Sequence, residues 1–226
     1  MSDSFSTTSK IKVAVITGHH PYDVPGFTDL FNNLPDVVSY IQSLEDFVQD
    51  VGQARARYDV LVFYNFHQQT PDPMKGELEQ QTFDALTRLG ETAQGILVLH
   101  HALVAYDRWA LWDDLIGKIR RNHGYAPDQH LQVHIVDRGN PLTRGMADFE
   151  LVDETYPLGD ALPEEGNTVV LTTDHPASTR TLAWTRQYRN ARVLCWQSGH
   201  CNLAWSNPAY MAFLSRGLQW LAGRVA

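Results

Sequence analysis

Gly95-Ile-Leu-Val-Leu-His-His-Ala102 is a short, unbroken apolar run that ends abruptly in two histidines. A run of that length reads as a strand buried on both faces of a sheet, and its neighbours in sequence repeat the plan. Ile11 to Thr17 runs into Gly18-His19-His20, Asp59 to Phe66 leads through Asn65 to His67, and Arg192 to Gln197 runs into Ser198-Gly199-His200. Leu131 to Val136 and Thr168 to Thr172 are further strands, and Val37 to Ile41 is another candidate. Amphipathic segments lie between them: Phe27 to Leu34, Leu44 to Gln53, Lys75 to Leu89, Tyr106 to Arg120 and Pro208 to Ala222. The last is marked by Asn207 as N-cap, Pro208 at the first helical position and a Met211, Leu214, Leu218, Leu221 stripe. Strand and helix in alternation predict right-handed crossovers and a parallel sheet covered on both faces. From Asp137 to Thr168 the rhythm fails among Pro141, Pro157, Gly159 and Pro163, which predicts an irregular excursion.

The parallel arrangement gives the histidines a common address. In such a sheet all carboxyl ends lie along one edge, where ligands bind. His19, His20, His67, His100, His101 and His200 fall at four of these tips and are candidates for one pocket. A histidine just past a strand is by default a half-exposed loop residue, so convergence carries the argument. Adjacent extended side chains point to opposite sides, so one of His19/His20 and one of His100/His101 is expected to face that pocket. His123, His130, His134 and His175 have no such placement and read as surface or core residues. Asp153 and Glu154 lie within the excursion and are either a solvated acidic turn or the carboxylate partners of the histidines.

Composition removes other classes. With 226 residues, 43% of them hydrophobic, the chain can build one large core without disulfides. Residues 11–226 are expected to form a single domain after a polar, disordered tail over residues 1–10 that lacks the form of a signal peptide. A net charge of −8 disfavours nucleic acid and anionic membrane as partners. No apolar run is long enough to span a bilayer. Two cysteines support neither a disulfide scaffold nor a four-thiolate metal site, so a reducing cytoplasm is the expected compartment. Glycine-rich dinucleotide and Walker loops, a G-x-S-x-G elbow and H-E-x-x-H are all missing, so no nucleotide cofactor is expected. Cys195 reads as core; Cys201 beside His200 is a weaker candidate nucleophile.

In order along nearly the whole chain, the sequence resembles the ThuA-like, or trehalose-utilisation, family. The resemblance rests on Tyr58-Asp-Val-Leu-Val-Phe-Tyr-Asn65, on Gly95 to Ala102 followed by Trp109 and Gly117, and on Asn140-Pro-Leu-Thr-Arg-Gly145 leading to Asp153-Glu154-Thr-Tyr156. It continues through Ala183-Trp-Thr-Arg186, Arg192-Val193, Gly199-His200 and Gly217-Leu-Gln-Trp-Leu-Ala-Gly223. It implies a flavodoxin-like, doubly wound, mainly parallel sheet of the class I glutamine amidotransferase type. It also implies a link to sugar metabolism and singles out His100, Asp153, Glu154, Tyr156 and His200. Related amidotransferases carry a nucleophilic cysteine at the elbow after the central strand; His100-His101 stand there in this chain, so glutaminase activity is not expected. The family often has His where this chain has Asn140, and Asp after Gly-His where this chain has Cys201.

The leading expectation is an enzyme acting on a small sugar or keto-sugar, with His100, Glu154, His200 and Asp153 as catalytic residues. His20, His101, Tyr156 and Trp109 would bind substrate. A divalent metal such as zinc, held by His20, His100, Glu154 and His200, is the metal-assisted version; a proton shuttle is the metal-free one. A non-catalytic sugar-binding or regulatory domain is the alternative. A homo-oligomer is the default for a protein of this kind.

Overall fold

The computed structural model describes residues 9–122 and 124–225. Nine strands form a sheet in the order β2-β1-β3-β4-β9-β8-β7-β5-β6. They are β1 (Ile11–Gly18), β2 (Val37–Ser43), β3 (Val60–Asn65), β4 (Gly95–Leu99), β5 (Ala126–Ile135), β6 (Phe149–Thr155), β7 (Thr168–Thr172), β8 (Thr181–Tyr188) and β9 (Ala191–Trp196). The helices are α1 (Val24–Asn32), α2 (Leu44–Gln49), α3 (Glu77–Thr87), α4 (Ala110–Ile116), α5 (Asn202–Trp205) and α6 (Pro208–Leu221).

The expected parallel sheet is present as β2-β1-β3-β4-β9. Alternation along each strand divides the core between the two faces. From β1, Ile11, Val13 and Val15 pack with Phe27, Phe31, Trp205 and Phe213 of α1, α5 and α6, whereas Ala14 and Ile16 pack with Phe47, Leu86 and Trp112 of α2, α3 and α4. This is the flavodoxin-like, doubly covered architecture. Asn207 caps α6 by accepting hydrogen bonds from Ala209 and Tyr210 N–H at 2.9 and 3.3 Å. The helix expected over 44–53 stops at Gln49, because Asp50 and then Gly52 take left-handed conformations (φ 52° and 70°). That expected over 106–120 is α4 alone, closed by Gly117 at φ 94°.

The rest of the sheet departs from the parallel expectation. β8 and β7 return antiparallel beside β9, and β5 and β6 follow antiparallel in turn. The irregular excursion thus contains β6, and β8 follows β7 as its hairpin partner. β5 is split lengthwise: only His134 and Ile135 pair with β7, while Ala126 to Val133 pair with β6. The β5–β6 ribbon therefore turns away from the sheet and packs Leu131, Val133 and Leu151 into the core on the α1/α5/α6 face. This brings the end of β6 to the tip of β9. Residues 1–8 of the expected tail and His123 lie outside the described residues.

Candidate functional site

The strand tips do converge, but on two clusters rather than one. At Gly18 (φ 137°) and His19 (φ 59°) the chain leaves β1 in a left-handed turn that sends consecutive imidazoles apart. His19 stacks on His67 with ring centroids 3.8 Å apart, and Glu45 of α2 joins them, its Oε1 3.6 Å from His67 Nε2. His20 goes the other way, stacking on His101 at 4.3 Å and meeting the edge of His200 at 5.7 Å. The separation expected within the His19/His20 doublet is observed.

The His100/His101 doublet behaves differently. His100 has φ 53° and begins a 3₁₀ turn over His100–Val104, so the pleat rule lapses at the strand's end. A non-glycine residue in that region costs on the order of 1–3 kcal/mol, and such strain is characteristic of an elbow that aims one side chain. Both rings are fully buried, and their centroids are 5.2 Å apart. His100 Nδ1 lies 2.7 Å from the Gln197 carbonyl. A carbonyl can only accept, so Nδ1 carries the proton and Nε2 is directed at the site. There it meets Tyr156 Oη at 2.9 Å and Glu154 Oε1 at 3.5 Å. Glu154 Oε2 is 3.9 Å from His200 Nε2, so one carboxylate spans two imidazoles. His101 Nε2 donates to the Tyr64 carbonyl at 2.8 Å, and its buried Nδ1 has no partner among the described residues.

Asp153 plays a different part. It is buried and accepts from Gly199 N–H, His200 N–H and Glu154 N–H at 2.5, 3.0 and 2.9 Å. The Gly199 carbonyl in turn accepts from Tyr64 Oη and Trp205 Nε1. The loop carrying His200 is thus gripped on both sides of its backbone. Gly199 has φ 127°, and a Cβ there would run into the Tyr210 hydroxyl, so glycine alone suits this turn.

Electrostatics separates the roles. Burial opposes ionisation of Glu154, but the His100 and Tyr156 side chains beside it, with His200 nearby, outweigh it and hold the carboxyl below its usual range. Burial pushes Asp153 up, against the N–H groups that pull it down. Burial first, then neighbouring histidines, lowers His20 and lowers His101 strongly. Burial also raises the Tyr156 phenol, with the Glu154 charge adding to it.

Of the residues expected at the site, His20, His100, His101, Asp153, Glu154, Tyr156 and His200 are brought together. Trp109 is not; its rings meet Phe83 and Tyr106 at 5.9 and 5.6 Å. Three of the four expected metal ligands converge: His100, Glu154 and His200 each offer a ligand atom, all within 4.8 Å of one another. His20 contributes ring contacts and lies outside that set. Cys195 is buried, as expected, and its thiol is raised by burial. The Cys201 thiol has no hydrogen bond to a histidine among the described residues. Two participants went unforeseen, the Gln197 carbonyl and Glu45. Glu45 follows β2, so the strand-tip argument admits it once carboxylates are counted with histidines.

The ThuA family, described as trehalose utilisation, matches residues 41–221. No curated protein matches the chain significantly. Among solved structures, one described as a ThuA-like protein from Parabacteroides merdae superposes with a TM-score of 0.72 at 17% identity, covering 96% of this chain and 92% of that one. A cytoplasmic protein from Salmonella typhimurium gives 0.68 at 14% identity, with coverages of 93% and 99%. A glutamine amidotransferase from Thermotoga maritima gives 0.56 at 10% identity, with coverages of 94% and 98%. These likenesses speak for the fold.

Proposed function

This chain belongs to the ThuA, or trehalose-utilisation, family, and from that premise we propose that the cluster at the ends of β4, β6 and β9 moves a proton on a small sugar or keto-sugar derivative. The observation that carries this reading is the Glu154 carboxylate shared between His100 and His200. Because Glu154 is held below the usual carboxylate range, it stays charged near neutrality and serves as the partner that orients an imidazole and stabilises an imidazolium. His200, with 31% of its side chain exposed, is the ring that an entering solute meets, and it carries the proton. Tyr156 stays protonated, and turning its hydroxyl away from His100 Nε2 would let it donate a hydrogen bond to an oxygen on which charge develops. Asp153 positions His200 through the backbone. His20 and His101 supply neutral walls. A proton α to a carbonyl is the fitting target, since its removal needs one base and one donor near the oxygen.

A second, metal-assisted reading is supported by His100 Nδ1, fixed on a backbone carbonyl as in metal-ligating histidines. His100, Glu154 and His200 would hold the ion, which would polarise a carbonyl oxygen. The donor set of two imidazoles and a carboxylate fits a zinc-like ion. Elemental analysis of untagged wild type and His200→Ala tests it; sub-stoichiometric metal in both removes it.

No helix among the described residues is long and apolar enough to cross a membrane. The Salmonella structure's description supports assigning this chain to the cytoplasm.

The proton-transfer reading is tested by incubating keto-sugars with the protein in D2O and following deuterium beside the carbonyl by NMR. Exchange by wild type, reduced by about 10²-fold or more in His200→Gln and Glu154→Gln, is the expected result. A keto-sugar that binds in a thermal-shift assay and is recovered without deuterium or any other change would make this a sugar-binding domain.

A further inference from the structure

The second cluster, His19, Glu45 and His67, plays no part in the proposed reaction, and its geometry points to a separate binding site for a divalent first-row metal ion of the zinc type. One ligand atom from each residue lies within 4.8 Å of the other two. Ligands ~2.0–2.2 Å from one ion are at most about 4.4 Å apart, so modest side-chain rotations bring the three onto a common centre. Two imidazoles and one carboxylate, with the remaining positions left to water, are a common set for zinc and for non-haem iron.

Placement argues for more than chance packing. β1 pairs with β2 on one side and β3 on the other, so the chain reverses its direction of growth at β1. The tips of β1 and β3 flank that switch point, where open α/β sheets bind ligands; His19 follows β1 directly and His67 lies two residues past the end of β3. Gly18 makes the approach feasible: a Cβ there would sit 3.0 Å from His67 Cε1, at a φ of 137° that L side chains rarely adopt. His67 is largely buried, Glu45 is partly open and His19 is exposed, so an ion can enter from solvent and meet two accessible ligands beside a buried one.

Support for the buried ligand is also present. Asn65 is buried, and its amide nitrogen sits 3.1 Å from His67 Nδ1 and 3.2 Å from Tyr106 Oη. Its oxygen has no partner among the described residues, so none of them pins the amide in that orientation from the far side. A half-turn presents Oδ1 to both, giving His67 Nδ1–H the acceptor that a histidine ligating through Nε2 requires. Tyr106 then donates. Burial and the neighbouring His19 lower the His67 pKa, which favours the neutral, ligating form against the pull of Glu45.

Cobalt(II) is a suitable probe, since its visible spectrum reports coordination by nitrogen and oxygen. The full chain, freed of affinity tag, is titrated alongside Glu45→Gln, His19→Asn and His200→Gln. Asparagine is chosen because it tolerates the left-handed backbone that position 19 needs. Circular dichroism confirms the folding of each variant. The expected result is one bound equivalent that survives His200→Gln and binds at least about tenfold more weakly in both Glu45→Gln and His19→Asn. If the other cluster also binds metal, the wild type shows two equivalents and the two sets of variants remove different ones. Stoichiometry and affinity unchanged in Glu45→Gln and His19→Asn, or no binding by the wild type, overturns the assignment. Neither result bears on proton exchange at Glu154 and His200.

Discussion

Asp153 and His200 are joined through the backbone: the buried carboxylate accepts the His200 amide N–H at 3.0 Å while the imidazole projects away toward Glu154. The same carboxylate also takes the N–H of Gly199 and of Glu154. Asp153→Asn replaces one oxygen by an NH2 group that faces donors, so a buried N–H loses its acceptor. A loss of about 1–3 kcal/mol in urea unfolding is expected, together with weaker exchange activity at full substrate saturation, because His200 is displaced. Unchanged stability would show that the loop is held by Tyr64 and Trp205 alone.

Tyr210 and Gly199 give a pair of opposite predictions. The Tyr210 hydroxyl is buried without a partner among the described residues, so Tyr210→Phe removes an unsatisfied group and is expected to be neutral or stabilising by up to about 1 kcal/mol. Gly199→Ala forces a Cβ toward that hydroxyl at φ 127° and is expected to destabilise by at least about 1 kcal/mol. Thermal melts of the two variants check both signs.

Stability should fall on mild acidification. His20, His67 and His101 are all lowered in the folded state, chiefly by burial, from an ordinary value of 6.5. Between the folded and unfolded values the unfolded chain binds more protons, so the contribution is complete above about pH 6.5 and is lost as pH drops through the folded values. Glu154, also lowered, adds to the loss below its ordinary value of 4.5. Tm measured from pH 7.5 to 5.5 should decrease, with a shallower slope in His101→Gln. A flat profile in wild type contradicts the burial of these rings.

Trp109 is a packing residue in this structure. Trp109→Leu removes its contacts with Phe83 and Tyr106 and is expected to lower Tm while leaving KM for any keto-sugar substrate unchanged. A raised KM in a variant of normal stability would return Trp109 to the binding surface.

The parallel half of the sheet was legible because β1, β3, β4 and β9 are buried on both faces and so have near-continuous apolar sequences. β6 was not: Glu150, Asp153 and Glu154 give Phe149–Thr155 the look of a solvated turn, and their partners lie elsewhere in the chain. β8 hides its strand character in Thr181, Thr185 and Arg186. At the site, residue type and strand-end position gathered His20, His100 and His200, whereas Glu154 stood out through the family resemblance. The division into two clusters was not readable, since it depends on the left-handed turns at His19 and His100. The Gln197 carbonyl, which fixes the His100 tautomer, is backbone and leaves no mark in the sequence.

The ribbon that delivers Glu154 also bears on how the site is made. Tyr156 and His100 are 56 residues apart in sequence, and the ribbon's ladder pairs with β7 through His134 and Ile135. The five parallel strands lead into all the histidines of the site and Glu45, but into none of the acidic groups around His100 and His200. Asp153, Glu154 and Tyr156 all ride on one stretch of chain, at the end of β6. The acidic half of the site is thus carried on one segment and the histidines on another, so exchanging that segment would alter the chemistry at His100 and His200 without replacing a histidine.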